Sequence, residues 1–538
     1  MLRKPLIITF VFAIAGLCPA SDPTSAQDSG GARKPNILLI MADDLGFSDL
    51  GCYGGEIETP NLDALAANGL RFTQFYNTAR CWPTRSAILA GYYPQAIRRD
   101  KLPGVEKHGA RGSRPKWAPL VSTLLQPQGY RSYHSGKWHV DGDVTANGFE
   151  RSYHLKDQSR FFSPQVHFLD DEKLPPVERD TGYYGTIKVT DHAIECLEDH
   201  AKNHAEKPFF TYLAYAAPHF PLHALPEDIE RYKDKYQEGW EVHRERRWQR
   251  IQEMGLLSGS LSAPERKLGP PYDFPDHLEI LGDGEVNKPI PWDELTEQQK
   301  EFQSMKMAIH AAMIDCMDRE IGRVLDKIRE MGEFENTLIL FLSDNGASAE
   351  IMVRADGHDP EAEPGSAPTY LCLGPGWSTV CNTPFRRHKT WTHEGGCSTP
   401  LIAHWPKGIA AKGEFRTNPG HVVDILPTLL EIAGTSPPTE YEGVSVPESH
   451  GKSLVPVFER DGTVDHDYIW WYHDEHRAVR QGDWKLVAAK KKPWSLYNMK
   501  TDRAEQTDLS AEHPAKAEEL AKLWEDKVTE FANLAGSD

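Results

Sequence analysis

Short apolar runs alternate along the chain with stretches of helical periodicity. The first run, residues 36–41, has no polar alternation, which is typical of a strand buried on both faces of a sheet. Comparable runs recur downstream, at residues 71–76, 130–134, 209–216, 338–342 and 401–404. Strands that alternate with helices predict an α/β fold, with a large mixed, mostly parallel sheet sandwiched by helices.

Helical periodicity is clearest in residues 302–331, where apolar side chains recur every three to four positions. Residues 190–203 and 424–433 are also predicted to be helical. After a Gly-Thr-Ser-Pro-Pro turn, the pattern changes to short alternating segments, at residues 468–472, 477–480, 484–487 and 495–497. These segments predict a small antiparallel sheet, and a charged terminal helix is expected at residues 514–531.

The changes of pattern divide the chain into regions. We place the main α/β domain at residues 34–440 and a C-terminal α+β subdomain at residues 441–538. Residues 226–300 interrupt the main domain with charged residues, Trp and Pro. We expect a surface insertion there, and a pair of ordinary helices with a loop is compatible with the same composition.

The N terminus has the features of a secretory signal peptide. A basic start is followed by an apolar run at residues 6–17, which is too short to span a bilayer, and then by Pro19. We assign residues 1–26 to the signal, with cleavage after Ala20 or Ala26. The mature protein is therefore expected to be exported, to the periplasm or outside the cell, without stable membrane insertion.

Charge and cysteine content narrow the possible partners. The 538 residues carry a net charge of −19, which argues against nucleic acid as a partner. An anionic substrate would need a locally basic pocket.

The chain has eight cysteines, and an oxidising compartment permits disulfides. Cys372 and Cys381 are the pair to test, and the alternatives of a disulfide and of two buried thiols remain equal.

The most specific motif is Cys81-Trp-Pro-Thr-Arg85, which continues into an apolar stretch ending at Gly91. It follows a predicted strand and precedes a predicted helix. At such a junction backbone N–H groups can face an anion. A structural cysteine, disulfide-bonded or buried, is the alternative interpretation of the motif taken alone.

Acidic residues follow two of the predicted strands. Asp43 and Asp44 come directly after the first strand, and Asp344 and Asn345 come after the strand at residues 338–342. Taken singly, such motifs are more often helix caps or turns. Their shared position at strand ends favours a hard oxygen site, suited to Ca²⁺ or Mg²⁺ rather than Zn²⁺.

Three further segments supply cations and histidines. Lys137 and His139 lie in Ser-Gly-Lys-Trp-His, and if this segment is extended their side chains project from the same side. His219 lies between two prolines, and Lys389 closes a basic cluster. A lysine can bind a sulfate oxygen as a point charge, and a histidine can move a proton near neutral pH. A surface loop, a structural histidine and a solvated face are the respective alternatives.

From about Lys34 to the terminal helix, the order and content of these segments resemble type I, formylglycine-dependent sulfatases of the arylsulfatase type, in the alkaline-phosphatase-like superfamily. The resemblance implies that a formylglycine-generating enzyme oxidises Cys81 to formylglycine, which is then hydrated to a geminal diol. It also implies one Ca²⁺ ion, bound by one diol oxygen and by Asp43, Asp44, Asp344 and Asn345.

The same resemblance implies a role for each remaining residue. Arg85 holds the nucleophilic oxygen, and Lys137, Lys389 and His219 bind the sulfate together with the metal. His219 or Lys389 protonates the leaving alcohol, and His139 removes the proton that allows sulfate to be expelled.

The implied activity is hydrolysis of aryl or carbohydrate sulfate esters to an alcohol and inorganic sulfate. One alternative is a formylglycine-dependent hydrolase of phosphodiesters or phosphonate monoesters. Another is a non-catalytic, Ca²⁺-bound protein that binds sulfated glycans. The partner is in each case a small anionic molecule or a glycan.

Overall fold

The predicted strands lie side by side in one large sheet. The structure is a computed structural model that describes residues 33–103, 111–157, 160–354 and 357–537, so the predicted signal peptide lies outside the described residues. From Lys34 onward the chain forms one compact unit. Within the described ranges the sheet has eleven strands: β1 Asn36–Ala42, β2 Leu70–Tyr76, β3 Arg131–Gly136, β4 Arg151–Leu155, β5 His167–Leu169, β6 Glu172–Lys173, β7 Phe209–Ala214, β8 Thr337–Ser343, β9 Ser398–His404, β10 Glu414–Arg416 and β11 Gly420–His421.

The centre of this sheet is parallel. Its order is β10-β2-β9-β8-β1-β7-β3-β4-β5-β6, and β11 also pairs with β2. Strands β8, β1, β7, β3 and β4 run parallel, whereas β9 runs antiparallel to both β2 and β8. Every residue of β1, β7 and β8 is buried, as expected for strands covered on both faces. The predicted mixed, mostly parallel sheet is confirmed.

Helices cover both faces of the sheet. Leu38 and Ile40 of β1 belong to one hydrophobic core, and Ile37 and Leu39 belong to a second core on the opposite face. The helices of the main region are α1 Pro60–Ala67, α2 Cys81–Ala90, α3 Val121–Leu125, α4 Gly185–Asn203, α5 Pro226–Glu230, α6 Gly239–Glu253, α7 Pro275–Leu281, α8 Glu297–Glu330, α9 Gly374–Cys381, α10 Glu394–Cys397 and α11 Ile425–Ile432. Helices α1, α4 and α8 pack on the first face, and α2, α3 and α11 pack on the second.

The longest helix begins earlier than its apolar periodicity predicts. Thr296 and Gln299 form a capping box, in which the Thr296 side chain accepts a hydrogen bond from the Gln299 backbone N–H. The helix α8 therefore starts at Glu297 rather than at residue 302. Among the described residues, no helix combines the length and the apolar composition that a membrane span requires.

The C-terminal region contains the predicted antiparallel sheet. After the short strands β12 Glu440–Tyr441 and β13 Val444–Ser445 and the helix α12 Val455–Glu459, four strands pair in chain order: β14 Ile469–His473, β15 His476–Gln481, β16 Trp484–Ala488 and β17 Ser495–Asn498. The terminal helix α13 Pro514–Gly536 packs on this sheet, with Trp524 stacked on Trp470 at a centroid distance of 5.6 Å. The sheet and the helix confirm the predicted fold, and the division at residue 440 stays a prediction.

The segment 226–300 is more than a surface layer. Its helix α6 packs against α9 and buries Trp240 and Arg247. Arg247 donates hydrogen bonds to Asp49 and to Glu56, each at 2.8 Å. A buried guanidinium needs such partners, so this part of the expected insertion belongs to the protein interior.

Cys372 and Cys381 are both free, buried thiols, so the structure takes the second of the two alternatives. The Sγ atom of Cys372 lies 3.5 Å from the Met352 carbonyl oxygen, and that of Cys381 lies 3.7 Å from His310 Nε2. Burial raises the pKa of both thiols.

Candidate active site

The acidic residues meet at the carboxyl ends of β1 and β8. These strands are parallel neighbours in register, so the residues that follow them emerge at the same edge of the sheet. The Asp44 backbone N–H faces Asp344 Oδ1 at 3.4 Å, and Asn345 Nδ2 donates to Asp44 Oδ1 at 2.7 Å. Asp43, Asp344 and Asn345 are completely buried. The structure thus brings together all four residues predicted from the two strand ends.

Cys81 is the first residue of α2 and faces this acidic group. Its Sγ atom, a carboxylate oxygen of Asp43 and one of Asp344 lie within 4.8 Å of one another. Arg85 is one helical turn further on, which places its side chain on the same face of α2. Its Nε donates to Asp344 Oδ2 at 2.8 Å, and its Nη1 donates to the Lys137 carbonyl at 3.1 Å. Arg85 therefore holds a carboxylate beside the thiol.

Lys137 and His139 follow β3, but the segment is not extended. Gly136 and His139 both have positive φ, at 117° and 54°, so the chain turns sharply after the strand. The premise that two extended residues project from one side was therefore wrong. Lys137 nevertheless reaches the site, where its Nζ forms an ion pair with Asp43 Oδ2. His139 is near enough to Lys137 and Arg85 for their charges to lower its pKa further after burial has done so.

Lys389 and His219 approach from the opposite side, around Asp44. Lys389 Nζ lies 2.8 Å from Asp44 Oδ1 and 2.9 Å from Glu350 Oε2. His219 Nε2 lies 3.8 Å from Asp44 Oδ2. The Nδ1 of His219 donates to the Phe220 carbonyl, so Nε2 is the ring atom available on the site side. The predicted site residues thus form one cluster.

Burial and neighbouring charges act in opposite directions on the carboxylates. Burial raises the pKa of Asp344 to about 7, and the charge of Asp43 adds to this effect. Burial acts on Asp43 in the same sense, but Lys137, His219 and Arg85 outweigh it and lower the pKa of Asp43. Crowded carboxylates of this kind are stabilised by any additional positive charge placed between them.

Comparison with known proteins identifies the family. A family model described as Sulfatase matches residues 35–435, which is most of the chain. The chain belongs to the sulfatase family. A second model, described as N-sulphoglucosamine sulphohydrolase, C-terminal, matches residues 386–533. This places the protein in the alkaline-phosphatase-like superfamily, as the motifs predicted, and its reaction class is the hydrolysis of sulfuric esters.

Individual relatives match over nearly their whole length. An uncharacterized sulfatase of Schizosaccharomyces pombe is 32% identical over 92% of this chain and 93% of its own. The arylsulfatase of Klebsiella aerogenes is 31% identical over 76% of this chain and 90% of its own. A structure solved in complex with its substrate D-glucosamine-2-N,6-O-disulfate has a TM-score of 0.61 and 22% identity, and the match covers 93% of this chain and 98% of that one.

The acidic cluster of this sulfatase has the donors that a hard divalent cation needs. Asp43 Oδ1 and Asn345 Oδ1 are buried, and no hydrogen-bond donor among the described residues reaches them. Buried oxygens without a donor are rare in native proteins and call for an explanation. The Cys81 thiol and the His219 imidazole lie within 4.8 Å of these carboxylates, but the four predicted ligands offer oxygen donors, which fit Ca²⁺ or Mg²⁺ better than Zn²⁺. The residues present therefore fit the predicted metal.

Two residues of the site were missed from the sequence. Glu350 is buried and bridges Lys389 to Arg80, whose Nη1 lies 3.1 Å from Glu350 Oε1. Arg80 directly precedes Cys81, and this adjacency to the motif is the sequence signal by which it could have been found. Glu350 comes five residues after Asn345 in an irregular loop, and no local pattern there distinguishes it from a surface carboxylate.

Aromatic and basic residues surround Trp82, which follows Cys81 in the chain. The Arg80 guanidinium lies over the rings of Trp82 and Tyr272, at 5.3 and 5.6 Å from their centroids, and the exposed Arg111 lies 4.5 Å from Trp82. His473, in the C-terminal sheet, packs edge-on against Trp82 at 5.3 Å. The C-terminal region thus contacts the residue that follows Cys81.

Proposed function

We propose that this protein is an exported sulfatase that cleaves aryl or carbohydrate sulfate esters with a formylglycine formed from Cys81 and with one bound Ca²⁺ ion. The observation that carries the proposal is the position of Cys81. Within the Cys-x-Pro-x-Arg motif it begins α2 and lies within 4.8 Å of two carboxylates at the strand ends. A structural cysteine has no need of such neighbours.

Sulfate binding is assigned to the cations that surround the thiol. Lys137 and Lys389 enter from opposite sides of the acidic group, and His219 stands beside Lys389 near Asp44. Two ammonium groups beside neighbouring carboxylates of one acidic group suit the binding of a tetrahedral anion among them. In the free protein the two lysines are neutralised by Asp43 and Asp44.

The metal is assigned to Asp43, Asp44, Asp344 and Asn345, together with an oxygen of the modified Cys81. When bound, it supplies positive charge that polarises the sulfate and favours the ionised nucleophile. Arg85 fixes Asp344 at 2.8 Å and so orients one ligand of the set. Oxygen donors suit both Ca²⁺ and Mg²⁺, and we assign Ca²⁺ on the resemblance to type I sulfatases, with Mg²⁺ as the less favoured choice.

The proton transfers are assigned to groups on two sides of the nucleophile. His219 or Lys389, both beside Asp44, is assigned to donate the proton to the leaving alcohol. Burial and the charge of Lys389 lower the pKa of His219, and its Nδ1 donates to the Phe220 carbonyl, so Lys389 is the one of the two that has a proton to donate on the site side at pH 7. Burial lowers the pKa of His139 and its basic neighbours lower it further, so this ring is neutral at pH 7 and able to accept a proton. Accepting the proton of the second hydroxyl of the modified residue allows sulfate to leave.

Maturation requires a partner that oxidises Cys81, and we propose a formylglycine-generating enzyme that acts before folding buries the residue. Cys81 is only 3% exposed in the folded protein. Residues 1–26 are proposed to direct export.

The first test is the mass of the peptide that contains Cys81, from protein made in its own host. Loss of sulfur and gain of an aldehyde oxygen would support the nucleophile, whereas an intact thiol would contradict it. Rates on an aryl sulfate and an aryl phosphonate monoester, measured on the same preparation, then separate a sulfatase from a phosphonate hydrolase. Binding of a sulfated glycan without release of sulfate would indicate the non-catalytic alternative.

A further inference from the structure

A cavity of about 190 Å³ lies near the active site, and its lining includes three arginines. Arg160 and Arg179 belong to the segment between β4 and α4, and Arg354 belongs to the loop after β8. Ser163, His223 and Thr369 complete its polar lining. None of these residues belongs to the proposed sulfate or metal site.

Two of the loops that line the cavity also contribute to the active site. The loop after β7 carries His219 and, four residues later, His223, and the loop after β8 carries Glu350 and, four residues later, Arg354. The Phe220 ring lies between the two regions. Lys389 Nζ is 5.2 Å from its centroid, and the Arg354 guanidinium is 5.5 Å from the same centroid. A ligand held at Lys389 therefore needs to extend only past one aromatic ring to reach Arg354.

Two of the three arginines are not neutralised by the protein. Arg160 forms an ion pair with Asp157. Arg179 and Arg354 are exposed and have no carboxylate partner among the residues that the structure describes. Because the chain as a whole carries a net charge of −19, two adjacent unpaired arginines in a concavity form a local exception. The planar guanidinium group matches the two oxygens of a sulfate or a carboxylate.

His223 adds an acceptor to these donors. It is 3% exposed, and its Nε2 donates to the Thr369 carbonyl at 2.8 Å, which leaves Nδ1 as the acceptor. Burial lowers the pKa of His223 to about 4, so the ring is neutral at pH 7. No donor among the described residues reaches the buried Nδ1. A hydroxyl group is the ligand chemistry that would satisfy it.

We propose that this cavity binds a second anionic group of the substrate, a sulfate or a carboxylate on a sugar, while a neighbouring sugar hydroxyl donates to His223 Nδ1. The inference rests on the proposed function and names its substrate class: oligosaccharides that carry at least two anionic groups, of which one is cleaved at Cys81. A simple aryl sulfate fills only the first site.

The test is a binding measurement that does not depend on turnover. Protein with Cys81→Ser is titrated calorimetrically with pairs of ligands on two scaffolds, glucosamine and galactose, each as a monosulfate and as a disulfate. A uronic acid–glucosamine 6-sulfate disaccharide tests the carboxylate. We expect a two-anion ligand to bind about tenfold more tightly than its one-anion partner, since charge-assisted hydrogen bonds are the strong ones.

Adding Arg179→Ala should remove this tenfold difference, while the monosulfate serves as the internal reference. The matched control is Lys173→Ala, an exposed cation on β6 that does not line the cavity, and it should keep the difference. Equal affinity for one and two anions on both scaffolds, including no measurable affinity for either, would overturn the inference. A gain that survives Arg179→Ala would also overturn it.

These outcomes are separable from failure of the proposed function. Turnover of an aryl sulfate by the unmutated protein without any preference for two anions leaves the sulfatase proposal intact. A two-anion preference in binding, combined with no turnover and no modification of Cys81, would support the assignment of the cavity and contradict the proposed catalysis.

Discussion

Two buried clusters in this molecule both combine carboxylates with lysine and arginine side chains, but they differ in their hydrogen-bond partners. One surrounds Asp43 and Asp344 at the strand ends, with Lys137 and Arg85 as its cations. The other surrounds Glu394 and Glu505, where the main sheet meets the C-terminal sheet. Lys485 lies 2.8 Å from Glu394 and 2.9 Å from Glu505, and Arg503 lies 2.7 Å from Glu394. Both clusters are inaccessible or nearly inaccessible to solvent.

The difference lies in what the charges face. In the cluster around Glu394, every ionised group is directed at another protein charge, and the bonds tie α10 to β16 and to the segment after β17. In the cluster around Asp43, two oxygens have no hydrogen-bond donor among the described residues, and a thiol at a helix N terminus adjoins the cluster. Glu505 Oε1 of the other cluster also lacks a hydrogen bond, but it lies 2.9 Å from Lys485 Nζ. Burial and charge alone therefore do not indicate a catalytic site. Unsatisfied oxygens at the carboxyl ends of parallel strands do indicate one.

Cys81→Ser should have the largest effect on turnover. We expect turnover of an aryl sulfate to fall at least about 10³-fold, equivalent to roughly 4 kcal/mol of activation free energy, because a serine sulfate has no internal route for expelling sulfate. The free energy of unfolding should change by less than about 1 kcal/mol. Steady-state rates and chemical denaturation measure the two quantities. Cys52→Ser, a buried thiol outside the site, should retain turnover, and equal losses in both variants would contradict the assignment.

Lys485→Met should have the opposite profile. It leaves Glu394 and Glu505 buried together with one fewer cation, and breaking a buried pair costs about 3–5 kcal/mol. Burial would raise the pKa of Glu394, but Lys485 and Arg503 lower it to about 2, which shows how far its charge depends on them. Denaturation should show the loss, and the turnover number per folded molecule should remain close to that of the unmutated protein.

The matched control is Lys490→Met. Lys490 forms ion pairs at the surface with Asp474 and Glu475, where such pairs contribute about 1 kcal/mol or less. A loss of stability as large as that of Lys485→Met would show that the buried cluster has no special structural role.

The response of thermal stability to Ca²⁺ should also distinguish the two clusters. At a free concentration one hundred times its Kd, an ion that binds only the native state stabilises it by about 2.7 kcal/mol. We expect a chelator to lower the melting temperature and added Ca²⁺ to restore it. Asp344→Asn should weaken that response, whereas Lys485→Met should keep it at a lower starting temperature. A response to Ca²⁺ that persists unchanged in Asp344→Asn would place the ion elsewhere.

The difference between the clusters also explains what was predictable from sequence. Asp43 and Asp344 were recognisable because each directly follows an apolar run, so local pattern and sheet topology bring them together. Glu394 was not identified from the sequence, since its partner Lys485 lies 91 positions away. The predicted boundaries of β1 and β8 lie within two residues of the observed boundaries for the same reason. The sharp turn at His139 was not predicted, because no local pattern specifies it.

Arg179 and Arg354 were likewise not identified as a pair. They lie in loops of irregular pattern, and only the fold brings them to one cavity. Periodicity predicts elements that bury their side chains, and it contains no information about which exposed loop residues become neighbours.

The smallest expected effect concerns Glu350, the buried carboxylate that belongs to neither the metal ligands nor the sulfate-binding cations. Glu350→Gln keeps the shape but removes the charge that holds Lys389 and Arg80, at 2.9 and 3.1 Å. Burial lowers the pKa of Lys389, but the charges of Asp44 and Glu350 outweigh burial and raise this pKa above its ordinary value. We therefore expect kcat to fall about tenfold, close to 1.4 kcal/mol, with a smaller change in KM. Glu265→Gln, which removes a partner of Arg386 and Arg387 outside the site, is the control and should leave kcat within about twofold. Equal effects of the two substitutions would mean that Glu350 stabilises the fold, as Glu394 does, rather than positions Lys389.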